Sequence, residues 1–235
     1  MRTKTLLITA ALAAAGLVSA SAQVFSVNAV GYVNLTIPAN GYRIISNPLN
    51  GNPDNNLNTI LALPQDGSFD GASVYRYNSL TQTYRDTMQW VSGPGWLASA
   101  PEDLVVNPGE GFFLQNIAGQ PLNVTMVGEV PSGTTQNPIQ GDSKYTLASA
   151  LVPRGGQIGY TGLAGSLEFP ADTGDSLYIF NHNTQLYEET AQYVEGVGWL
   201  HATFPPEGPT INPGEGFFVQ KLAPNRNWTM TFTVN

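Results

Sequence analysis

The sequence predicts an all-β protein with two tandem sandwich- or barrel-like repeats, each of about 100 residues, a usual size for a small domain. The heptapeptide Asn-Pro-Gly-Glu-Gly-Phe-Phe occupies residues 107–113 and recurs without change at residues 212–218. Short runs of β-branched and aromatic residues lie between Gly, Pro and Asn, which favour turns between strands. Gly and Pro also recur too often for a long helix.

The duplication extends well beyond the heptapeptide. Residues 74–78 align with 177–181, and the same spacing aligns 95–97 with 198–200. The two heptapeptides are two residues further apart, so an insertion lies in the preceding loop. The predicted order is a signal peptide at 1–22, a first repeat at 23–131, a linker at 132–142 and a second repeat at 143–235. The linker is predicted from its Gly, Pro, Thr and Gln content.

Individual elements follow from local composition. Strands are predicted at residues 42–46, 73–77, 111–115 and 122–127, and short helices at 56–63 and 162–167. Residues 27–33 resemble 124–130, which suggests the order strand, body, strand, body, strand. A chance match between two β-rich segments explains that similarity equally well.

The N-terminus resembles a secretory signal. Arg2 and Lys4 precede an apolar run at residues 6–18, and Ala20-Ser21-Ala22 fits the small-residue rule for cleavage before Gln23. The apolar run is too short for a membrane span, and no later segment reaches the required length of about 18 residues. We therefore expect a secreted or cell-surface bacterial protein with no membrane span.

Charge and cysteine content exclude several classes of partner and site. The formal net charge of −8 makes nucleic acid an unfavourable partner. The chain has no cysteine, so thiolate metal sites and disulfides are excluded, and stability must come from core burial, bound ions or other subunits.

The heptapeptide has a structural and a catalytic interpretation. Asn-Pro-Gly is a turn sequence, and Glu110 and Glu215 stand where a carboxylate can accept backbone N–H groups. The alternative is a carboxylate pair for acid–base chemistry. Two Glu in separate modules do not readily come within the roughly 5–10 Å that glycoside hydrolysis requires, so the structural interpretation is preferred. One Phe of each following pair is expected in the core.

No catalytic motif supports an enzyme. His182 and His201 have no counterpart in the first repeat, and the sequence has no zinc-protease, nucleophile-elbow or phosphate-loop pattern. No cofactor is predicted, although calcium is compatible with two acidic turns containing Asp66 and Asp70, and Asp172 and Asp175. Ordinary turn chemistry is the preferred explanation of these aspartates, because turns also favour Asp and Asn.

Repeated aromatic residues are the candidate ligand-binding residues. The six candidates are Tyr75, Tyr84, Trp96, Tyr178, Tyr187 and Trp199. Exposed rings of this kind can stack on sugars, whereas buried ones form core. Their exposure therefore decides between the two interpretations.

Residues 41–50, 74–78 and 107–113 resemble a recurrent β-domain of exported bacterial surface and secreted proteins. That domain opens with Gly-aromatic-x-Leu-Ile-x-Asn-Pro and closes with a Pro-Gly-x-Gly-aromatic-aromatic strand. The second repeat departs from the opening motif at residues 149–152, which read Ser-Ala-Leu-Val. The resemblance implies an all-β, extracytoplasmic protein and carries over no catalytic residue.

Three functions are compatible with these features. The first is a non-catalytic secreted or cell-surface protein with a structural or adhesive role. The second is a carbohydrate-binding module with a polysaccharide partner, and the third is a small extracellular hydrolase. Self-association is a further hypothesis, because the strand predicted at 27–33 could add to the sheet edge of another chain.

Overall fold

The computed structural model describes residues 29–233. The predicted signal peptide and the first residues of the predicted strand at 27–33 lie outside the described residues. Strands hold 45% of the residues and helices hold 4%. The all-β prediction is therefore confirmed.

The first half of the chain contains eight strands and two short helices. They are β1 (Val30–Ile37), β2 (Gly41–Ser46), α1 (Leu57–Ile60), β3 (Ser73–Asn78), β4 (Thr83–Tyr84), β5 (Met88–Val91), β6 (Gly95–Leu97), a 3-10 helix (Pro101–Leu104), β7 (Gly111–Asn116) and β8 (Leu122–Glu129). The strands predicted at 42–46, 73–77, 111–115 and 122–127 are all present.

The second half contains eleven strands. They are β9 (Gly133–Ile139), β10 (Lys144–Ser149), β11 (Gly156–Gln157), β12 (Ser176–Tyr178), β13 (Phe180–Asn181), β14 (Leu186–Tyr187), β15 (Ala191–Val194), β16 (Gly198–Leu200), β17 (Thr210–Ile211), β18 (Gly216–Lys221) and β19 (Arg226–Phe232).

Each half has one main antiparallel sheet and one two-stranded ribbon. The main sheets run β2-β7-β3-β5-β6, with β4 also paired to β3, and β10-β18-β12-β15-β16. The ribbons are β1-β8 and β9-β19, and two small sheets pair β11 with β17 and β13 with β14. The strands that carry the heptapeptide phenylalanines, β7 and β18, hold the second position in both main sheets.

Each ribbon covers a core with one face, because apolar and polar side chains alternate along its strands. Along β8, Leu122, Val124 and Met126 are buried, whereas the residues between them are exposed. Val33 and Leu35 of β1 are buried on the same side of the ribbon. These side chains join the buried face of the first main sheet in one apolar cluster, and the second half has its own cluster.

The segment predicted as a linker, 132–142, contains a strand. β9 pairs with β19 along its whole length, from Gly133 opposite Phe232 to Ile139 opposite Arg226. Gly133 and Pro138 suggested a linker, but burial of Asn137 and Ile139 gives the segment the period of a strand. The order is therefore strand, body, strand, strand, body, strand.

The strand hypothesized to add to another chain pairs within its own half. From Val30 onward it forms β1, whose partner is β8, with Val33 opposite Met126. Residues 27 and 28 lie outside the described part of the chain. This pairing uses one edge of the segment that intermolecular strand addition would need.

One predicted helix is present and the other is absent. Asn56 caps α1, its side chain accepting the N–H of Asn58. At 162–167 the chain forms turns instead, because Gly162 and Gly165 both have φ near +86°. Those left-handed positions are incompatible with a continuing right-handed helix.

The two main sheets pack against each other through a third apolar cluster. Its buried members are Ile44, Leu147 and Phe218, and partly buried aromatic rings from both halves pack against them. Phe112 and Phe217 point instead into the cores of their own halves, where both are fully buried. Alternation thus places one phenylalanine of each pair in a core, as predicted, and directs the other toward the opposite half.

Each heptapeptide turn also contacts the opposite half. The Ser46 N–H donates to Gly214 O at 2.8 Å, and the Ser149 N–H donates to Gly109 O at 3.1 Å. Gly109 and Gly214 have φ of +92° and +79°, a region in which glycine is favoured. A Cβ on Gly214 would lie 2.6 Å from Cγ1 of Val33, in the first ribbon. The turn therefore requires glycine for both conformation and close approach.

Two glutamines, one in each half, form hydrogen bonds to the backbone of an edge strand in the opposite half. The Gln82 side chain accepts the Tyr145 N–H at 2.8 Å and donates to Tyr145 O at 2.9 Å. Gln185 does the same to Tyr42, at 2.7 and 3.0 Å. Because β2 and β10 are edge strands of the main sheets, these amides satisfy backbone groups that would otherwise be unpaired.

Candidate functional site

Two open clefts lie where the halves meet, with cavity volumes of about 630 and 250 Å³. Cleft A is lined by the rings of Tyr42, Tyr75, Tyr84, Phe113 and Phe180. Cleft B is lined by the rings of Tyr145, Tyr178, Tyr187, Phe218 and Tyr77. In this order, each ring of one cleft has its counterpart in the other at the repeat spacing.

Both clefts require both halves of the chain. Four rings of cleft A belong to the first half, and the fifth, Phe180, belongs to the second. Cleft B is the reverse, with Tyr77 contributed by the first half. Packing of the two main sheets therefore creates the site.

The rings meet mostly edge-on or tilted. In cleft A, Phe113 lies 5.4 Å from Phe180 at 78°, and 6.4 Å from Tyr42 at 86°. In cleft B, Tyr77 lies 5.2 Å from Phe218 at 81°. Edge-to-face contacts of this kind stabilise aromatic clusters and fix the ring orientations. The cleft walls are consequently built by rings that support one another.

The polar groups at the clefts are hydroxyls and amides. The Tyr75 hydroxyl donates to Gln115 Oε1 at 2.7 Å, and the Tyr77 hydroxyl donates to Gln82 Oε1 at 3.1 Å. Asn40 and Gln185 also line cleft A. None of the described residues that line the two clefts is charged. The lining therefore combines apolar ring faces with neutral hydrogen-bonding groups.

Tyr84 and Tyr187 are the most exposed rings of the site, at 50% and 46% of full exposure. Burial raises the pKa of Tyr187 to about 12, and the neighbouring Tyr84 adds to the shift. Burial and Tyr77 also raise the pKa of Tyr84. Both phenols therefore stay neutral and able to donate hydrogen bonds at physiological pH.

The same two tyrosines connect the linings of the two clefts. Tyr84 lines cleft A, yet its ring lies 5.3 Å from Tyr77 of cleft B. Tyr187 lines cleft B, yet its ring lies 5.4 Å from Phe180 of cleft A. Each exposed tyrosine thus lines one cleft and contacts a ring of the other, so the linings of the two clefts are contiguous.

Four of the six predicted ligand-binding residues meet here, and two do not. Tyr75, Tyr84, Tyr178 and Tyr187 line the clefts. Trp96 and Trp199, in contrast, lie in the two cores, at 1% and 2% of full exposure. This correction has a structural reason, because in the three-residue strands β6 and β16 the residue after each tryptophan faces solvent instead.

The indole N–H groups of the two tryptophans also form buried hydrogen bonds to backbone carbonyls. The Trp96 Nε1–H donates to Leu61 O at 2.7 Å, and the Trp199 Nε1–H donates to Gly159 O at 2.9 Å. The sequence-based site omitted six of the ten cleft rings, which are Tyr42, Tyr77, Phe113, Tyr145, Phe180 and Phe218. Each of them has an aromatic counterpart at the repeat spacing, which is the signal that could have identified them.

The predicted calcium turns are engaged in other contacts. Asp66 accepts the Ser68 N–H at 2.9 Å, and Asp70 accepts both the N–H and the hydroxyl of Ser92. The first is a local turn contact, and the second joins two segments that are 22 residues apart in the chain. Across residues 29–233 no cluster of three or more acidic or histidine side chains could hold a metal ion.

In the second half, the buried ammonium of Lys221 stands between the aspartates proposed as calcium ligands. Its Nζ lies 2.6 Å from Asp172 Oδ2 and 2.7 Å from Asp175 Oδ2. Burial favours a higher pKa for Asp172, but hydrogen bonds from Arg226 and Lys221 outweigh it and lower the pKa below its ordinary value.

Both heptapeptide glutamates carry structural contacts. Glu110 accepts the Asn107 N–H at 2.8 Å and pairs with Arg76 at 3.1 Å. Glu215 accepts the Asn212 N–H at 3.0 Å and pairs with Arg43 of the first half at 2.7 Å. These contacts agree with the structural interpretation of the two carboxylates.

Comparisons with known proteins give no relative. No family model matches the sequence, and no curated protein or solved structure is significantly similar to it. In the described part of the chain, no helix is long and apolar enough to cross a membrane.

Proposed function

We propose that this chain is an exported, non-catalytic β-protein with an adhesive role, and that it binds neutral carbohydrate through clefts A and B. The observation that carries the proposal is the pair of matching aromatic clefts. Each presents an exposed tyrosine, Tyr84 or Tyr187, above a floor of supporting rings. Sugar rings present apolar C–H faces edged by hydroxyls, and tyrosine offers a flat apolar face with a polar tip.

Charge supports a neutral ligand. The described lining of both clefts is uncharged, and the chain as a whole carries a formal net charge of −8. An acidic polysaccharide would therefore be repelled by the general field of the protein and would find no cationic partner in the lining.

The proposal also includes an internal duplication of the chain and its export from the cell. We infer that the two halves are tandem copies of one module, which the shared order of the main sheets and the matching clefts support. Export is supported by the sequence of residues 1–22, and N-terminal sequencing of the exported protein should begin at Gln23.

A panel of insoluble polysaccharides tests the binding function. We expect cellulose, xylan, mannan or starch to retain the wild-type protein, and we expect polygalacturonate to retain none. The double variant Tyr84→Ala/Tyr187→Ala should lose retention, because it removes both exposed rings. Tyr32→Ala is the matched control, since Tyr32 is 71% exposed on the first ribbon and lines neither cleft. Failure of every neutral polysaccharide to retain the wild type would refute the function.

A further inference from the structure

The contiguity of the two clefts, together with the proposed function, has a consequence for the length of the ligand. Two separated clefts would bind two short ligands independently. Here Tyr84 contacts a ring of cleft B while lining cleft A, and Tyr187 contacts a ring of cleft A while lining cleft B. The two linings therefore touch at the exposed rings that would themselves contact sugar.

We propose that clefts A and B form one continuous binding surface for a single unbranched, neutral β-1,4-linked glucan chain, with Tyr84 and Tyr187 at its centre. This inference rests on the proposed carbohydrate-binding function and adds the ligand class and the number of chains bound. The described lining residues offer ring faces and neutral donors and acceptors along the whole surface.

The ligand class follows from the chemistry of the lining. All hydroxyls of a β-1,4-linked glucan are equatorial, which leaves C–H faces free for contact with rings such as Tyr84 and Tyr187. Its chain is extended and carries no charge, as an uncharged, open surface requires. The edges of each sugar can meet the Asn40 amide and the tyrosine hydroxyls.

Occupying two linked subsites with one chain raises affinity. The second contact becomes intramolecular once the first has formed, so a ligand long enough to reach both clefts binds more tightly than a short one. Two independent clefts would instead show the same affinity for short and long chains, with two ligands bound per protein.

Isothermal titration of the full-length mature protein with cellotriose and cellohexaose separates these cases. We expect one cellohexaose per protein, bound at least about 10-fold more tightly than cellotriose. Tyr84→Ala and Tyr187→Ala should each remove most of that advantage. Tyr32→Ala should leave it unchanged, and thermal unfolding of every variant checks that the fold is intact.

Other results would overturn the inference in recognisable ways. Two cellohexaose molecules per protein with the affinity of cellotriose would show independent clefts and leave the proposed function in place. No binding of cellohexaose, with another neutral polysaccharide retained in the panel, would refute the β-1,4-glucan as ligand. Rejection of every neutral polysaccharide would remove the proposed function as well.

Discussion

Lys221 is a fully buried cation at the end of β18. Its Nζ donates to Pro170 O at 2.9 Å as well as to Asp172 and Asp175. A buried ammonium without such partners would be strongly destabilising, so the aspartates are required for the fold of this region. The counterpart at the repeat spacing is Asn116, whose amide donates to Pro38 O and Gln120 O.

The sequence could not distinguish this arrangement from a calcium site. Asp172 and Asp175 lie in a turn, and their number and spacing suit either interpretation. Lys221, which pairs with both aspartates, is far away along the chain and becomes their neighbour only when β18 pairs with β12. Its side chain is fully buried.

Asp172→Asn tests the role of the carboxylate through pH. Because the pKa of Asp172 is lowered in the folded state, its stabilising contribution is present above the unfolded pKa of about 3.9 and is lost as pH falls through the lower folded value. We expect the variant to be about 1 kcal/mol or more less stable at pH 7. The difference from wild type should begin to shrink below about pH 4 and should be lost below the lowered pKa of the folded state, where the wild-type carboxyl is also neutral.

Urea unfolding between pH 2 and pH 7 measures this difference. The exposed Asp86→Asn is the control for a general effect of removing one negative charge. An Asp172→Asn deficit that stays constant across the whole pH range would contradict the ion-pair explanation.

Tyr187 should ionise late in an alkaline titration. Its raised pKa of about 12 means that the phenol stays protonated after an ordinary tyrosine, with a pKa of about 10, has ionised. The absorbance of wild type minus Tyr187→Phe near 295 nm should therefore rise only well above pH 10. A difference curve centred at pH 10 would show that Tyr187 is fully solvated.

At the level of elements, local composition and alternation predicted four of the nineteen described strands directly, and one strand was predicted as a linker. The strands around the heptapeptides stand out because Gly, Pro and Asn bound short apolar runs. β9 was predicted as linker, since its outward residues are Thr and Gln and its inward ones include Asn137, which donates to Gly109 O at 2.8 Å. Because the buried position 137 holds a polar Asn that bonds to the opposite half, the segment lacks the apolar–polar alternation by which a strand is usually recognised.

Gly214→Ala tests the contact between a heptapeptide turn and the opposite ribbon. Gly196 is a matched control, because its φ of +78° equals that of Gly214 within a degree and nothing lies within 4 Å of a Cβ placed there. Gly196→Ala should cost about 1–2 kcal/mol from conformation alone. Gly214→Ala should cost about 2–5 kcal/mol, because the new methyl group also meets Val33 and Leu35.

Chemical denaturation of both glycine variants supplies the comparison. Equal losses at the two positions would mean that the turn does not press against the ribbon. A larger loss at Gly214, relieved in a background with Val33→Ala, would locate the strain at that contact.

At the scale of the whole molecule, the packing of one half on the other could not be predicted. The repeat spacing matched Tyr75 with Tyr178 and Tyr84 with Tyr187, but it carries no information about which surfaces meet. The third apolar cluster combines side chains such as Ile44 and Leu147, each of which could equally belong to a local core. Hence the tyrosines were predicted as candidates, whereas the clefts they form were not.

Gln82→Ala/Gln185→Ala tests how the halves are held together. Loss of both amides leaves backbone groups of Tyr42 and Tyr145 without their side-chain partners at the sheet edges. We expect the free energy of unfolding to fall by about 1–3 kcal/mol. We also expect sedimentation to show concentration-dependent association, because open strand edges can pair between molecules.

Gln192→Ala, at an exposed position of β15, is the control for the loss of a surface amide. Unchanged stability together with a monomeric double variant would show that the glutamines are dispensable.

The short connection between the halves determines how the clefts respond to dilution. Only residues 130–132 separate β8 from β9, so the surface that completes each cleft is tethered next to it. Two unlinked modules with the same contacts would dissociate when their concentration fell below their dissociation constant. In the single chain the local concentration of each half around the other is set by the tether, and both clefts therefore persist however dilute the protein becomes.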